Sequence, residues 1–364
     1  MQKSLEGLKI AVIHDWCFEN RGGEKVLDTI LEVLPSCDLY CLFGRPLELL
    51  TQKHKINKLH LSSLAKLPYI QKWFQYALPI FPYLIEQFDL SSYDLVISSS
   101  HCVAKGVITP PHAKHAVYLH SPMRYAWDQE NIYFPKKFWL RSYLLHKLRI
   151  WDVTSSQRQD LMIFNSEFVK RRSELYYDKS GIVIHPPFQK NRFQFTSKKQ
   201  NHVLLFGAWV PYKKMEQTAR TLLEHGISVV AAGHGKGLED LKSTNHPQLK
   251  IIDRPSDDDV SKLYQEAKVI LIANDEDFGI VALEGLASGC TLVCSDKGGT
   301  KEILNFGNGG LIFKSGNNHD MVSTIQSAFE KETSENEVHK ILAHFSKEHF
   351  QSSFLSALER CLNK

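Results

Sequence analysis

The amino-acid sequence predicts an α/β protein made of two Rossmann-like, doubly wound domains that face a central cleft. Three observations carry this. The chain has 364 residues, more than one hydrophobic core usually serves, so two domains are expected. Apolar runs of strand length alternate with segments of helical period, and those runs are continuously apolar, as in parallel sheets covered on both faces. The pattern stops once, near residue 200, and restarts, giving two halves of similar size. Ligands of such sheets bind beyond the C-terminal strand ends, so the cleft between the halves is the expected site.

In the first half, "LKIAVIH" (8–14) reads as a strand followed by the glycine turn "ENRGGEKVL" (19–27). "DLVISS" (94–99), "HAVYLH" (115–120) and "DLMIFNS" (160–166) are further strands. The last ends in Asn165 and Ser166, a polar pair suited to cap the helix that starts "EFVKRR". "GIVIHPPFQKNRFQFTSKKQNH" (181–202) has two prolines, clustered Lys and Arg and little periodicity, so residues 186–201 are the expected linker between domains at 1–185 and 202–338. In the second half "HVLLFG" (202–207), "ISVVAAG" (227–233), "LKIID" (249–253), "KVILIA" (268–273), "CTLVCS" (290–295) and "GGLIF" (309–313) read as strands, with helical segments such as "DDDVSKLYQEA" (257–267) between them. The final segment, 339–364, reads as helical.

Composition excludes several classes. The chain is 43% apolar and 23% charged, which favours a globular protein over a disordered one. The N-terminus lacks an apolar core of signal-peptide length, and no run of about 18 apolar residues suggests a spanning helix. Seven cysteines, an odd number without a C-x-x-C pair, fit a reducing cytosol with no disulfide framework and no structural zinc. The net charge of +4 is uneven: residues 51–150 hold 13 Lys/Arg against 5 Asp/Glu, and residues 251–300 hold 4 against 10. Such asymmetry orients a protein on an anionic surface. The basic half also carries aromatics, in 64–84 and 132–149; they suit a lipid interface and equally the packed side of amphipathic helices. No zinc finger, Arg-rich arm or RNP-like stretch points to nucleic acid.

The segment "EDFGIVALEG" (276–285) holds two carboxylates, Glu276 and Glu284. The strand before it ends at about Ala273, so "NDEDFG" is the loop at its C-terminal edge and Gly279 opens a helix to about Ser288. Free amides at that helix start, around Gly279 and Ile280, hold phosphate or sugar oxygens well, and ionised carboxylates accept hydrogen bonds from vicinal hydroxyls. The ligand this suits is polyhydroxylated and phosphorylated. Taken alone, the pair fits as well a helix-capping Glu276 and a half-buried Glu284 in an ion pair. Likewise "RGGEKVL" fits both a backbone approach to phosphate and a tight turn.

Together with "GLASG", with "CTLVCSDKGGTKEIL" and its Gly298, Gly299 and Glu302, with "HDWCFENRGGEKVL" (14–27), "YLHSPMRYAWD" (118–128) and "VPYKKME" (210–216), this segment resembles the retaining glycosyltransferases of the GT-B fold, family four (glycosyl transferases group 1). The resemblance covers nearly the whole chain in order, and its N-terminal motifs look like the bacterial branch that makes O-antigen and exopolysaccharide, including mannosyltransferases. It implies roles. Glu284 would hold the ribose hydroxyls of a sugar nucleotide, Glu276 the transferred sugar, and the Phe278–Gly279–Ile280 backbone the sugar and phosphate. Gly22 and Gly23 would let backbone approach the diphosphate, Lys213 would neutralise it, and His120 would meet a sugar hydroxyl; His120, Glu276 and Lys213 are the catalytic set. Segment 339–364 would pack back on the first domain. One departure stands out: the family's arginine, five residues before the lysine, is Ala208 here, and loss of such a clamp costs about 2–4 kcal/mol where charge develops on a leaving group. Lys214, Arg124 or Lys297 would be substitutes.

The acid runs 257–259 and 275–277 look like metal-binding D-x-D motifs. The first suits a helix start, where acids are favoured, and Glu276 belongs to the other pattern, so no metal and no cofactor is expected. "GHGKG" (233–237) lacks P-loop spacing and reads as a strand-end turn. The expected function is transfer of a hexose, with mannose from GDP-mannose the leading donor and UDP-hexose the other, to a lipid-linked or polysaccharide acceptor, with retention. The expected place is the cytoplasm, peripheral at the inner face of the plasma membrane. Two alternatives stand beside it: a sugar-nucleotide epimerase of the same fold, and a non-catalytic subunit that binds a glycan or a partner transferase.

Overall fold

The structure, a computed structural model, describes residues 5–18, 22–44, 47–133 and 138–363. Residues 19–21 of the glycine turn and 134–137 of the second basic aromatic stretch lie outside the described residues. The chain divides into two compact units, Met1–Pro187 with Lys347–Lys364, and Phe188–Ser346.

The first unit is built on β1 (Ile10–Cys17), β2 (Cys37–Gly44), β3 (Ile56–Leu61), β4 (Leu95–Ser100), β5 (Lys114–Leu119), β6 (Leu161–Phe164) and β7 (Ile182–Val183). They form one parallel sheet in the order β3-β2-β1-β4-β5-β6-β7. The second unit holds β8 (Gln200–Ala208), β9 (Val229–His234), β10 (Leu249–Asp253), β11 (Ala267–Ile272), β12 (Thr291–Ser295) and β13 (Gly310–Phe313), parallel in the order β10-β9-β8-β11-β12-β13. In each sheet the order reverses beside the unit's first strand. This is the doubly wound, Rossmann-like arrangement that the alternating pattern predicts.

Continuous apolar strands serve two cores at once, because successive side chains point to opposite faces. Val203, Leu205, Val269 and Leu271 pack with helices Met215–Glu224 and Asn318–Glu330. Leu204, Ile270 and Ile272 pack on the other face with helices Asp257–Glu266, Ile280–Ala287 and Glu335–His344. The helix Ile280–Ala287 lies so close to β11 that a Cβ on Gly285 would come 2.7 Å from Ile270 Cγ2. In the first unit, helix Gly22–Val33 and the returning helix Lys347–Leu362 share a core with Ile10, Val12, Leu95 and Ile97.

The structure differs from the sequence reading at four places. Strands β2 and β3 are additional: β2 carries Asp38, whose carboxylate accepts a hydrogen bond from the Tyr93 hydroxyl at 2.5 Å, and β3 is a partly exposed edge strand with polar residues. β7 falls inside the stretch without periodicity. The segment 188–199 packs on the second unit: Phe188 and Phe193 are buried and stack at 5.9 Å. Lys199 there donates to the carbonyls of Tyr264, Gln265 and Ser288 at the ends of two helices. The C-terminal segment is two helices, Glu335–His344 in the second unit and Lys347–Leu362 in the first. The break falls where Phe345 turns into the second core, 5.5 Å from Phe278 and 5.3 Å from Phe306 between ring centroids.

Candidate active site

The candidate residues fall into two groups, one in each unit, both at C-terminal strand edges where strand order reverses. In the second unit, β8 ends at Ala208 and runs through a 3₁₀ turn, Pro211–Lys213, into helix Met215–Glu224. Lys214 closes the turn in the left-handed region, φ 51°, and fixes where Lys213 stands. On the neighbouring strand, β11 ends at Ile272, and residues 273–279 form the loop before helix Ile280–Ala287.

Backbone constraints shape that loop. Gly279 caps the helix at φ +89°, and a Cβ there would lie 2.5 Å from Thr300 Oγ1. The Thr300 hydroxyl donates to the Phe278 carbonyl at 2.9 Å. Gly298, at φ +83°, packs its Cα on the Glu276 backbone: a Cβ would lie 3.0 Å from both the amide nitrogen and the carbonyl oxygen. The Gly299 amide donates to the Glu276 carbonyl at 2.8 Å. Side chains at 279 or 298 would push these segments apart, as glycine at left-handed, close-approach positions implies.

On this frame Lys213 Nζ meets Glu276 Oε1 at 2.8 Å, with both side chains largely shielded. Glu276 does not cap the helix; the cap is Gly279. Glu284, on the helix, is half-buried and accepts a hydrogen bond from the Tyr264 hydroxyl at 2.9 Å. Tyr264 is fully buried, and burial together with Glu284 pushes its phenol well above the ordinary value. The phenol is therefore a fixed donor that orients the carboxylate. The Phe278 ring is core, 3% exposed, so this residue offers the site its backbone. Ile280 stands in the helix's first turn, whose leading amides have no intrahelical acceptor. Ala208 is half-buried, in register with His234, while Lys214 and Lys297 are exposed. Asp257–Asp259 form the first turn of a helix, where Asp259 and Ser256 make a capping box. Among the described residues no group of three or more His, Cys, Asp or Glu is placed to share a metal ion.

In the first unit, Gly22 and Gly23 begin helix Gly22–Val33, and a Cβ on Gly23 would sit 3.9 Å from the His120 ring. His120 follows β5. Its Nε2 lies 2.9 Å from Ser99 Oγ, and Asn165 donates to its carbonyl. The sequence reading missed the residues around it. Asp15, fully buried, accepts the backbone amides of His101, Cys102, Val103 and Ala104 at 2.6–2.9 Å, and His101 Nδ1 lies 3.3 Å from the same carboxylate. His14 Nδ1 donates to the Ser99 carbonyl at 3.0 Å. Only the "HD" at the end of the first apolar run hinted at this cluster; nothing in the sequence around Tyr264 marks it.

Burial pushes the His14 imidazole down to about 4, helped by His101 and opposed by Asp15 and the Ser99 carbonyl. Burial also pushes His115 down to about 3, and holds His120 well below its ordinary value. At neutral pH His120, just past the C-terminal end of β5, is therefore an uncharged imidazole, suited to hydroxyls rather than anions.

The chain is similar to several known proteins. Residues 187–344 match the family model described as Glycosyl transferases group 1. An uncharacterized glycosyltransferase of Methanocaldococcus jannaschii is 24% identical over 213 residues, 57% of this chain and 58% of that relative's length. Among solved structures, the sucrose-phosphate synthase of Thermosynechococcus elongatus superposes with a TM-score of 0.69 at 14% identity, over 97% of this chain and 98% of that one. Anabaena HepE, in complex with UDP and glucose, gives 0.65 at 16% identity over 97% and 99%.

A prediction follows from the neutral imidazoles. The unfolded chain takes up a proton at His14 near pH 6.5, and the folded chain resists until about pH 4. Below pH 6.5 the unfolded state binds more protons, so stability falls as pH falls. His14 alone should remove about 3 kcal/mol by pH 4. Urea unfolding at pH 7.5, 5.5 and 4.5 measures this, and a midpoint unchanged across that range contradicts it. The two parallel doubly wound units give this chain the fold of GT-B glycosyltransferases, and the stretch that matches the glycosyl transferases group 1 model, residues 187–344, covers nearly all of the second unit.

Proposed function

We propose that the protein is a retaining glycosyltransferase that moves a hexose from a sugar nucleotide to a hydroxyl of a lipid-linked or polysaccharide acceptor. The observation that carries this reading is the gathering of Lys213, Glu276, the helix start at Gly279–Ile280 and Glu284 on one strand edge of the second unit. A cation and free amides suit the diphosphate, and two carboxylates suit sugar and ribose hydroxyls. The motifs at 118–128 and 210–216 favour GDP-mannose as donor. Anabaena HepE, solved with UDP-glucose, makes UDP-glucose the second candidate.

In the proposed reaction the bond from the anomeric carbon to the phosphate oxygen breaks while the acceptor oxygen bonds on the same face. The acceptor proton passes to the leaving phosphate. The protein supplies positioning and charge: Lys213 faces the phosphate charge, Glu276 the sugar, Glu284 the ribose. His120, neutral and held beside Ser99, would meet a sugar hydroxyl. No metal is required in this scheme. A non-catalytic subunit is the second reading, and Ala208 favours it, since no cation stands there.

The proposed place is the inner face of the plasma membrane, bound peripherally. No helix among the described residues is long and apolar enough to cross a membrane. Among the described residues, the basic aromatic segments of the first unit bury some side chains and expose others. Leu78, Phe81, Leu145 and Leu148 are buried, while Tyr69, Tyr76, Tyr83 and Trp139 are exposed by 65–84%, with Lys66 and Lys147 exposed nearby in sequence. Aromatic rings with lysines suit the headgroup region.

Two outcomes are expected. Glu284→Ala, made together with Tyr264→Phe so that no buried phenol is stranded, should weaken nucleotide binding by roughly 1.5–3 kcal/mol, the scale of hydrogen bonds to a charged group. Calorimetry with GDP, UDP and their hexose conjugates tests it, and an unchanged Kd rejects the ribose assignment. The protein should also sediment with vesicles containing anionic lipid, less so as salt rises; no sedimentation at low salt rejects the membrane assignment.

A further inference from the structure

The Lys213–Glu276 contact has a consequence for ligand choice. Both residues belong to the second unit, and both are fixed from behind. Lys213 is the last residue of the 3₁₀ turn Pro211–Lys213, with its amide donating to the Val210 carbonyl at 3.0 Å. Glu276 has its amide bonded to the Asn274 carbonyl at 3.0 Å and its carbonyl bonded to the Gly299 amide at 2.8 Å. The backbones are thus held, and what remains to move is the two side-chain ends. These form a 2.8 Å charge-assisted pair with 18% and 17% of the side chains exposed, a setting where charges interact more strongly than in water.

We propose that this pair is a specificity element: it makes the second unit prefer an intact sugar nucleotide over the corresponding nucleoside diphosphate. The inference rests on the reading that this strand edge binds a sugar nucleotide. A diphosphate arriving alone competes with Glu276 for Lys213. Once Lys213 turns to the phosphates, the largely shielded Glu276 carboxylate has lost its lysine and stands beside two further negative groups. A free nucleoside diphosphate brings nothing to compensate it. An intact donor brings sugar hydroxyls, which donate to the released carboxylate and replace the lysine. Phosphate recognition and sugar recognition are then one exchange, in which Lys213 changes partner and Glu276 does the same. After transfer the sugar is gone, Glu276 reclaims Lys213, and the nucleoside diphosphate is displaced.

The expectation runs opposite to that for an ordinary binding residue. Glu276→Gln should tighten the free diphosphate, because the competitor and the repulsion are both removed. It should not tighten the sugar nucleotide, because a neutral amide accepts sugar hydroxyls less strongly. The preference for donor over nucleoside diphosphate should collapse by about tenfold, the scale of one charge-assisted hydrogen bond. Lys213→Met identifies the route: in that background Glu276→Gln should tighten the diphosphate much less, because no lysine remains to be released.

The experiment is calorimetric titration of the full chain and of the three variants, Glu276→Gln, Lys213→Met and the double variant. The ligands are UDP, GDP, UDP-glucose and GDP-mannose, and thermal unfolding confirms each fold. If Glu276→Gln does not fold, Glu276→Asp, which shortens the reach to Lys213, should tighten the diphosphate in the same direction. Tightening of UDP or GDP in Glu276→Gln that largely disappears in the Lys213→Met background supports the exchange. Unchanged or weaker diphosphate binding in Glu276→Gln overturns it, and so does equal tightening with and without the lysine. A parent protein that binds none of the four ligands overturns the proposed function, and the exchange with it. Binding by the parent without the Glu276 effect overturns the exchange alone.

Discussion

Reversal of strand order between β8 and β11 is the constraint on which the second unit's chemistry depends. The chain leaves β8 toward β9 on one side and leaves β11 toward β12 on the other. Right-handed crossovers then place helices Met215–Glu224 and Ile280–Ala287 on opposite faces. Between these departures the strand ends are left uncovered, and residues 208–214 and 273–279 border the same edge. Lys213 and Glu276, 63 positions apart in sequence, come within 2.8 Å for this reason. The glycines at 279 and 298 let the loop, the helix start and the turn at 298–299 pack backbone to backbone. Tyr264, on helix Asp257–Glu266 of the same face, then reaches Glu284.

The first unit repeats the plan with different side chains. At its own reversal, between β1 and β4, a buried carboxylate replaces the loop glycines as organiser. Asp15 accepts four consecutive backbone amides just after β4. A buried carboxylate is tolerated there because each oxygen is hydrogen-bonded twice. It holds the loop that carries His101 against Trp16, with ring centroids 4.4 Å apart. His14, His101 and His120 stand on neighbouring strand ends as a result. One edge therefore offers a cation, carboxylates and helix amides, and the other offers the neutral imidazole of His120.

Much of this was legible in the sequence, for identifiable reasons. Buried parallel strands write themselves as continuous apolar runs, and ten of the thirteen strands among the described residues were read that way. The helix start at Gly279 was legible because an acidic loop, a glycine and an apolar helix follow one another. What was not legible was set by tertiary packing. The edge strand β3 lacks a continuous apolar run because one side is wet. The stretch 188–199 reads as a linker because its aromatics have no period, yet Phe188 and Phe193 cover the second core. Tyr264 looks like any helix tyrosine until the sheet brings Glu284 to it. Asp15 looks like a strand-end acid until four amides from residues 101–104 converge on it. The glutamate pair was visible, but its partner Lys213 came to it only through the resemblance of the loop, since no local pattern links positions 213 and 276.

A crystal structure of the protein with bound UDP or GDP tests the central claim most directly. The site described here predicts ribose hydroxyls within hydrogen-bond distance of Glu284, and phosphate oxygens at Lys213 Nζ and at the amides around Gly279 and Ile280. A nucleotide bound away from the C-terminal ends of β8 and β11, with the Lys213–Glu276 contact undisturbed, would contradict it.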